Sequence, residues 1–408
     1  MKISIKNLIT KNIVKKIFLL GILLRFLVMP WFAHGDIIAV HKRVEQIVCQ
    51  ERSVLSFSAV ATHSLETFFA KIYSPVVPCR LLSNLQTSFY QAPKMNRMIF
   101  MFKLPYLIFE IGFWLLMWKI LSPDNKEDRK KISIFLALNP IVIFAVYMFG
   151  RFEAYNLFLT ALLLFILKKL DTNKLKNQIL LILVMAVTVS VRKSYLMILP
   201  ALFLALGGIS LSGLSVIGFS SLFYLGYTFL GKAKQINLGL HADYVFQAFV
   251  DTGLGYYIYW FFLLIGLIMV WWLDKQENIL KKTDKMERFS LFSALIFLAY
   301  YATSIFHPQY LVWIMPFFLV LMVKNSFGFW WKSFWWMIPF YLLYLVSLGN
   351  STTFGIAFPI SMVFKQVNPG WFLPVLSAAK WANIGRSIFS AFNLYWFFKL
   401  IKQYGKES

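Results

Sequence analysis

The 408-residue chain is 59% apolar, 19% aromatic and only 14% charged, a composition too greasy for a soluble globular domain. A formal charge of +24 would direct a soluble protein to nucleic acid; here lysine-rich cytoplasmic loops between membrane spans account for much of it, and nucleic acid is not expected as a partner. The two cysteines, Cys49 and Cys79, form no C-x-x-C pair, which excludes a cysteine-rich zinc module.

Lys2, Lys6, Lys11, Lys15 and Lys16 precede the first apolar span, Ile17 to about Phe32, and place the N-terminus in the cytoplasm. No small-residue cleavage site follows Phe32, so this span is expected to be retained. A polar loop at 33–97 opens at once with His34-Gly35-Asp36. Within it, Ile37, Ile38, Val40, Val44, Ile47 and Val48 recur near helical spacing against Lys42, Arg43, Glu45 and Gln46. That pattern predicts an amphipathic helix on the membrane surface. A second such piece is expected at Leu65–Ile72, ahead of a rigid non-helical break at Tyr73–Pro78. Cys49 and Cys79 both lie in this loop; an oxidising outer compartment permits a disulfide, and two buried free cysteines are the alternative.

The second span, Met98–Leu121, returns to the charged loop Asp124–Lys131. Span three, Ile132–Phe149, carries Asn139-Pro140 and leads to a short outer turn, Gly150-Arg151-Phe152-Glu153. Span four, Ala154–Leu167, ends at Lys168 and Lys169; spans five and six, Gln178–Val191 and Tyr195–Leu206, form a hairpin tipped by Arg192 and Lys193. Span seven, Val216–Leu230, opens an outer loop at 231–255, and span eight, Tyr256–Leu273, descends to the basic run Asp274–Arg288. Span nine, Phe289–Phe306, rises to His307-Pro308-Gln309-Tyr310; span ten descends to Lys324 and span eleven rises from Lys332. A third outer segment covers 350–380, and a last span near Ala382–Phe398 leaves Lys399, Lys402 and Lys406 inside. The expected fold is an all-α polytopic membrane protein: one domain over 1–408, about twelve transmembrane helices, both termini cytoplasmic.

Asp36 stands at the boundary of membrane and water, where a carboxylate can take a proton from an attacking hydroxyl. The competing structural role is a helix N-cap ahead of Ile37-Ile38; His34 and His41 are expected to be loop histidines. Arg151 and Glu153 suit a phosphate contact and a substrate-orienting acid, or interfacial snorkelling and a local ion pair. Arg192-Lys193 run against the positive-inside trend, which calls for a phosphate or for anionic lipid headgroups. Arg25, deep within span one, needs a partner or a function. His307, Gln309 and Tyr310 form a polar tip in an apolar hairpin, fit to orient a sugar or to bind phosphate.

The order of these features resembles the glycosyltransferase-C superfamily, integral-membrane enzymes that use polyprenyl-phosphate sugars. Asp36 matches that superfamily's aspartate after the first span. Asn139-Pro140 with Gly150–Glu153 matches its span-three motif and short acidic turn. Lys193, then His307–Trp313 with Pro316, match the later basic and His/Pro-Gln-Tyr-x-x-Trp stretches, and Tyr73-Ser74-Pro75 stands where several families have a Tyr-Pro-Pro-like break. Two departures stand out: the first loop lacks a paired acidic motif, and Glu153 stands where many have Asp.

The resemblance implies an inverting, mannosyltransferase-like enzyme of the inner or plasma membrane, facing the periplasm or equivalent outer side. It would pass a sugar from a polyprenyl-phosphate donor to a lipid, glycan or protein acceptor. By it, Asp36 is the general base, Arg151, Arg192, Lys193 and His307 meet the donor phosphate, and Glu153, Gln309 and Tyr310 orient the substrate. No cofactor is required, since fixed cations suffice for a monophosphate leaving group, although a divalent metal is compatible. Trp31, Tyr155, Trp260 and Trp313 are candidate sugar platforms among many belt and packing aromatics. A flippase for lipid-linked saccharides is the alternative from another class, and a surface-polysaccharide polymerase or ligase the nearer enzyme alternative.

Overall fold

The computed structural model describes residues 5–57, 60–88, 90–121, 123, 125–207, 218, 283–303, 307–347, 350–367 and 378–406. Among them the secondary structure is helical throughout, with no strand. Spans seven and eight and the 231–255 loop, with Trp260, lie outside the described residues, as does the Lys193 side chain.

Two described helices, Met95–Leu121 and Lys126–Met148, are long and apolar enough to cross a membrane. At 1.5 Å per residue the first is about 40 Å long, against roughly 30 Å of hydrocarbon. It packs against Glu153–Lys169, while Ile5–Val28 packs on Lys126–Ala137. Lys285–Thr303 packs on both Met315–Lys324 and Ala378–Lys406, and Gly328–Ser347 lies along Ala378–Lys406.

Helices also run through other apolar segments among the described residues, and two of them are composite. Residues Lys193–Ile198 form a 3-10 turn that passes into the short α-helix Leu199–Ala205, and Pro308–Ile314 passes likewise into Met315–Lys324. Pro200 and Pro316 stand in the first turns of the α-segments, where a missing N–H costs nothing. Asn139-Pro140 breaks span three as its residue types require. The Asn139 side chain caps the amides of Ile141 and Val142 at 3.0 and 3.5 Å, after which the chain widens into a π-turn at Ile143–Met148.

In the 33–97 loop the surface helix runs Gly35–Val48 and a second helix Val60–Ile72. Ile37, Ile38, Val40 and Val44 are buried as expected. Two side chains expected outside are buried as well. His41 is not in a loop but inside this helix, stacked on Phe102 at 3.5 Å, and Glu45 accepts a 2.6 Å bond from the Gln86 amide. Cys49 and Cys79 are joined in a disulfide that ties the end of the surface helix to the chain beyond the Tyr73–Pro78 break.

Arg25 has its partner. Its guanidinium grips Glu110 at 2.6 and 2.7 Å, and its remaining nitrogen reaches the carbonyls of Gly21 and Ala137 at 2.9 and 2.6 Å.

Candidate functional site

Residues 33–36 are held from two directions. The Ala33 amide donates to the Ile356 carbonyl at 2.7 Å, tying the segment to residues 350–365. The His34 amide donates to the Phe149 carbonyl at 2.8 Å, tying it to the end of the Pro140–Phe149 segment, and the His34 ring stacks on Phe149 at 4.0 Å.

The same place depends on Gly150. Its φ of +82° is open to glycine, and a Cβ there would lie 3.1 Å from Ile37 and 3.2 Å from Lys103. The turn is further fastened by Lys103, a fully buried lysine whose ammonium donates to the carbonyls of Met29 (2.9 Å), Tyr147 (2.6 Å) and Phe32. A lysine midway along a largely apolar helix is the sequence signal for such a clamp, and it is shared with Glu110 two turns further on.

Asp36 is not the N-cap of the surface helix. His34 occupies that position, its Nδ1 lying 3.2 Å from the Asp36 amide, and Asp36 sits in the first turn. Its carboxylate Oδ2 instead accepts a 2.7 Å bond from Arg151 and lies 3.3 Å from His34 Nδ1. Partial burial works against ionisation of Asp36, but the Arg151 guanidinium bonded to it outweighs that cost and holds the carboxyl well below the usual carboxylate range. His307 contributes to the same field. Its own pKa is pushed below the ordinary histidine value, by burial first and by Arg151 next, so the ring is neutral at pH 7.

A second acid–base pair lies beside the first. Glu153 is fully buried; the Trp313 indole donates to it at 2.7 Å, and Arg192 stands 3.5 Å away. Arg192 also lies over Tyr310 at 4.7 Å and Trp313 at 5.3 Å, and those two rings stack at 4.3 Å. Both Arg151 and Arg192 rest on the Phe152 ring, at 5.2 and 5.6 Å, so the Gly150–Glu153 turn joins the two pairs. Gln309 is buried nearby and its Oε1 has no hydrogen-bond partner among the described residues.

A cavity of about 400 Å³ opens against Asp36, lined also by His34, Tyr90, Asn350, Phe358 and Lys365. Of the residues singled out for substrate or phosphate contact, Asp36 lines this cavity directly; Arg151 backs it, and Glu153, Arg192 and Trp313 form a packed layer behind the turn. Tyr90, Asn350 and Lys365 went unnoticed in the sequence because polar residues in irregular segments carry no periodicity to mark them. Among the described residues no group of three His, Cys, Asp or Glu side chains converges as a metal site. No family model, curated protein or solved structure matches the chain.

Proposed function

We propose that this chain is an integral-membrane glycosyltransferase, taking a sugar from a polyprenyl-phosphate donor and passing it to an acceptor hydroxyl at the extracytoplasmic face. The observation that carries the reading is an aspartate held ionised on the wall of a cavity, directly after the first apolar helix. In this mechanism the acceptor oxygen attacks the anomeric carbon as the bond to phosphate oxygen breaks. The carbon inverts, the phosphate departs with the bonding pair, and Asp36 receives the hydroxyl proton. A carboxylate of depressed pKa is a weak base, so the proton moves late, once the forming oxygen–carbon bond has acidified it.

The Cys49–Cys79 disulfide supports an oxidising compartment for the 33–97 loop, in keeping with the lysine-rich turns on the opposite side. With that orientation the proposed topology is a bundle of about twelve spans with both ends cytoplasmic. A transporter is disfavoured because Arg25 and Glu110, its natural mid-membrane charges, are fully buried against each other.

The test is a purified-protein assay over a panel of polyprenyl-phosphate sugars, reading release of free polyprenyl phosphate. Asp36→Asn keeps the size of the side chain and leaves the His34 cap in place, but it cannot accept a proton. It should fold normally and lose at least about two orders of magnitude in turnover. Near-wild-type transfer by a well-folded Asp36→Asn protein would sink the assignment; lipid translocation without release of polyprenyl phosphate would favour the flippase.

A further inference from the structure

Arg151 and Arg192 are both committed to carboxylates, and Arg192 is further enclosed by aromatic faces. Lys365 is not. Its ammonium lies over the Tyr90 ring at 2.6 Å and within 5.2 Å of Phe358, and no carboxylate among the described residues pairs with it. Aromatic faces hold a cation through their quadrupole without neutralising its charge. Since Asp36 and Arg151 cancel, Lys365 leaves one unbalanced positive charge facing the cavity among the described residues.

The wall carrying Lys365 is built. Asn350 donates through Nδ2 to the carbonyls of Phe364 and Lys365 itself, at 3.0 and 2.5 Å, fixing the turn Met362–Lys365 from behind. The Asn350 Oδ1 has no hydrogen-bond partner among the described residues although Asn350 lines the cavity. Gly355 makes this possible, because a Cβ there would fall 2.6 Å from the Asn350 carbonyl oxygen.

We propose that Lys365, seated on Tyr90 and Phe358 and positioned by Asn350, binds a phosphate group in the cavity shared with Asp36. On the reading above, which supplies the identity but not the existence of the anion, this is the phosphate that links sugar to polyprenol. Base and cation then come from different chain segments, so the attacking and leaving groups are served by separate side chains. A volume of about 400 Å³ leaves room for a sugar ring beside the phosphate.

The test uses the purified full-length chain in phosphatidylcholine nanodiscs, with binding read by native mass spectrometry. The probes are polyprenyl phosphate, phosphatidylglycerol and inorganic phosphate. Wild type should bind polyprenyl phosphate, and Lys365→Met should bind it about tenfold to a hundredfold more weakly, with Lys365→Arg keeping most of the affinity and an unchanged melting temperature. Asp36→Asn should bind at least as well as wild type. Competition by inorganic phosphate identifies the phosphate itself as the determinant; competition by phosphatidylglycerol alone identifies a lipid headgroup. Equal binding by wild type and Lys365→Met, or no binding of any probe by wild type, overturns the proposal. Lys365-dependent binding without sugar transfer from any donor overturns glycosyl transfer and leaves the anion site standing.

Discussion

Two arginine–carboxylate pairs in this molecule use the same chemistry to opposite ends. Arg25 and Glu110 are both 0% exposed, meet through two nitrogens and two oxygens, and spend the remaining guanidinium nitrogen on the carbonyls of Gly21 and Ala137. The Tyr147 hydroxyl completes the carboxylate, and the Trp114 ring covers the guanidinium at 4.7 Å. Arg151 and Asp36 are 13% and 40% exposed at the side chain, joined by one bond, and Arg151 Nε has no partner among the described residues. Saturated capacity in a sealed environment marks a joint between helices. Unspent capacity beside a cavity is what the proposed ligand site needs.

Breaking the sealed pair should have the largest effect on stability. Glu110→Gln leaves the Arg25 charge buried without a counter-ion and should cost about 3–5 kcal/mol. The expected result is a large drop in melting temperature in detergent, with poor recovery of folded protein. Arg151→Gln should leave the melting temperature almost where it was, because solvent reaches that pair. Equal losses for the two variants would erase the distinction drawn here.

An intermediate effect is expected where the open pair is held in place. Replacing both Cys49 and Cys79 by serine removes a crosslink across 30 residues, and should cost about 2–4 kcal/mol. The loss should be local. Amide exchange should quicken along Gly35–Val48, the helix that carries Asp36, while amides around Arg25 and Glu110 stay protected. Uniform acceleration at both pairs would mean that the 33–97 loop and the long apolar helices form one cooperative unit.

Legibility followed the same division. Asp36, Arg151 and Glu153 were readable because each sits at the edge of a long apolar run, where a charged residue is conspicuous. The Asn139-Pro140 break and the surface helix were readable for local reasons, a missing amide hydrogen and a helical period. What Glu153 touches was not: Trp313 lies 160 residues away, and only packing brings its indole to that carboxylate. The capping residue was misplaced by two positions, since His34 caps with a ring nitrogen and frees Asp36 for Arg151. The cavity wall at Tyr90, Asn350 and Lys365 was illegible, as irregular segments far apart in sequence meet there without any repeating pattern.

The smallest effect tests the open pair through its proton. In the folded chain the pKa of Asp36 is lowered, so the stability it contributes is fully present above the unfolded value of about 3.9 and is lost as pH falls through the folded value. Because the side chain is 40% exposed, screening limits that contribution to at most about 1 kcal/mol. Removing Arg151 takes away the guanidinium that favours the charged form, so the carboxyl pKa must move up. If Asp36 is the base, the acid limb of kcat/KM follows it. Wild type should show no carboxylate limb between about pH 4 and 7, whereas Arg151→Gln should lose activity at a higher pH than wild type as the medium is acidified. His307, whose pKa is lowered by burial and by Arg151, should place any limb of its own below the ordinary histidine value of about 6.5. An acid limb that stays put when Arg151 is removed would mean that the proton leaving the acceptor goes to some group other than Asp36, even if Asp36→Asn proved inactive.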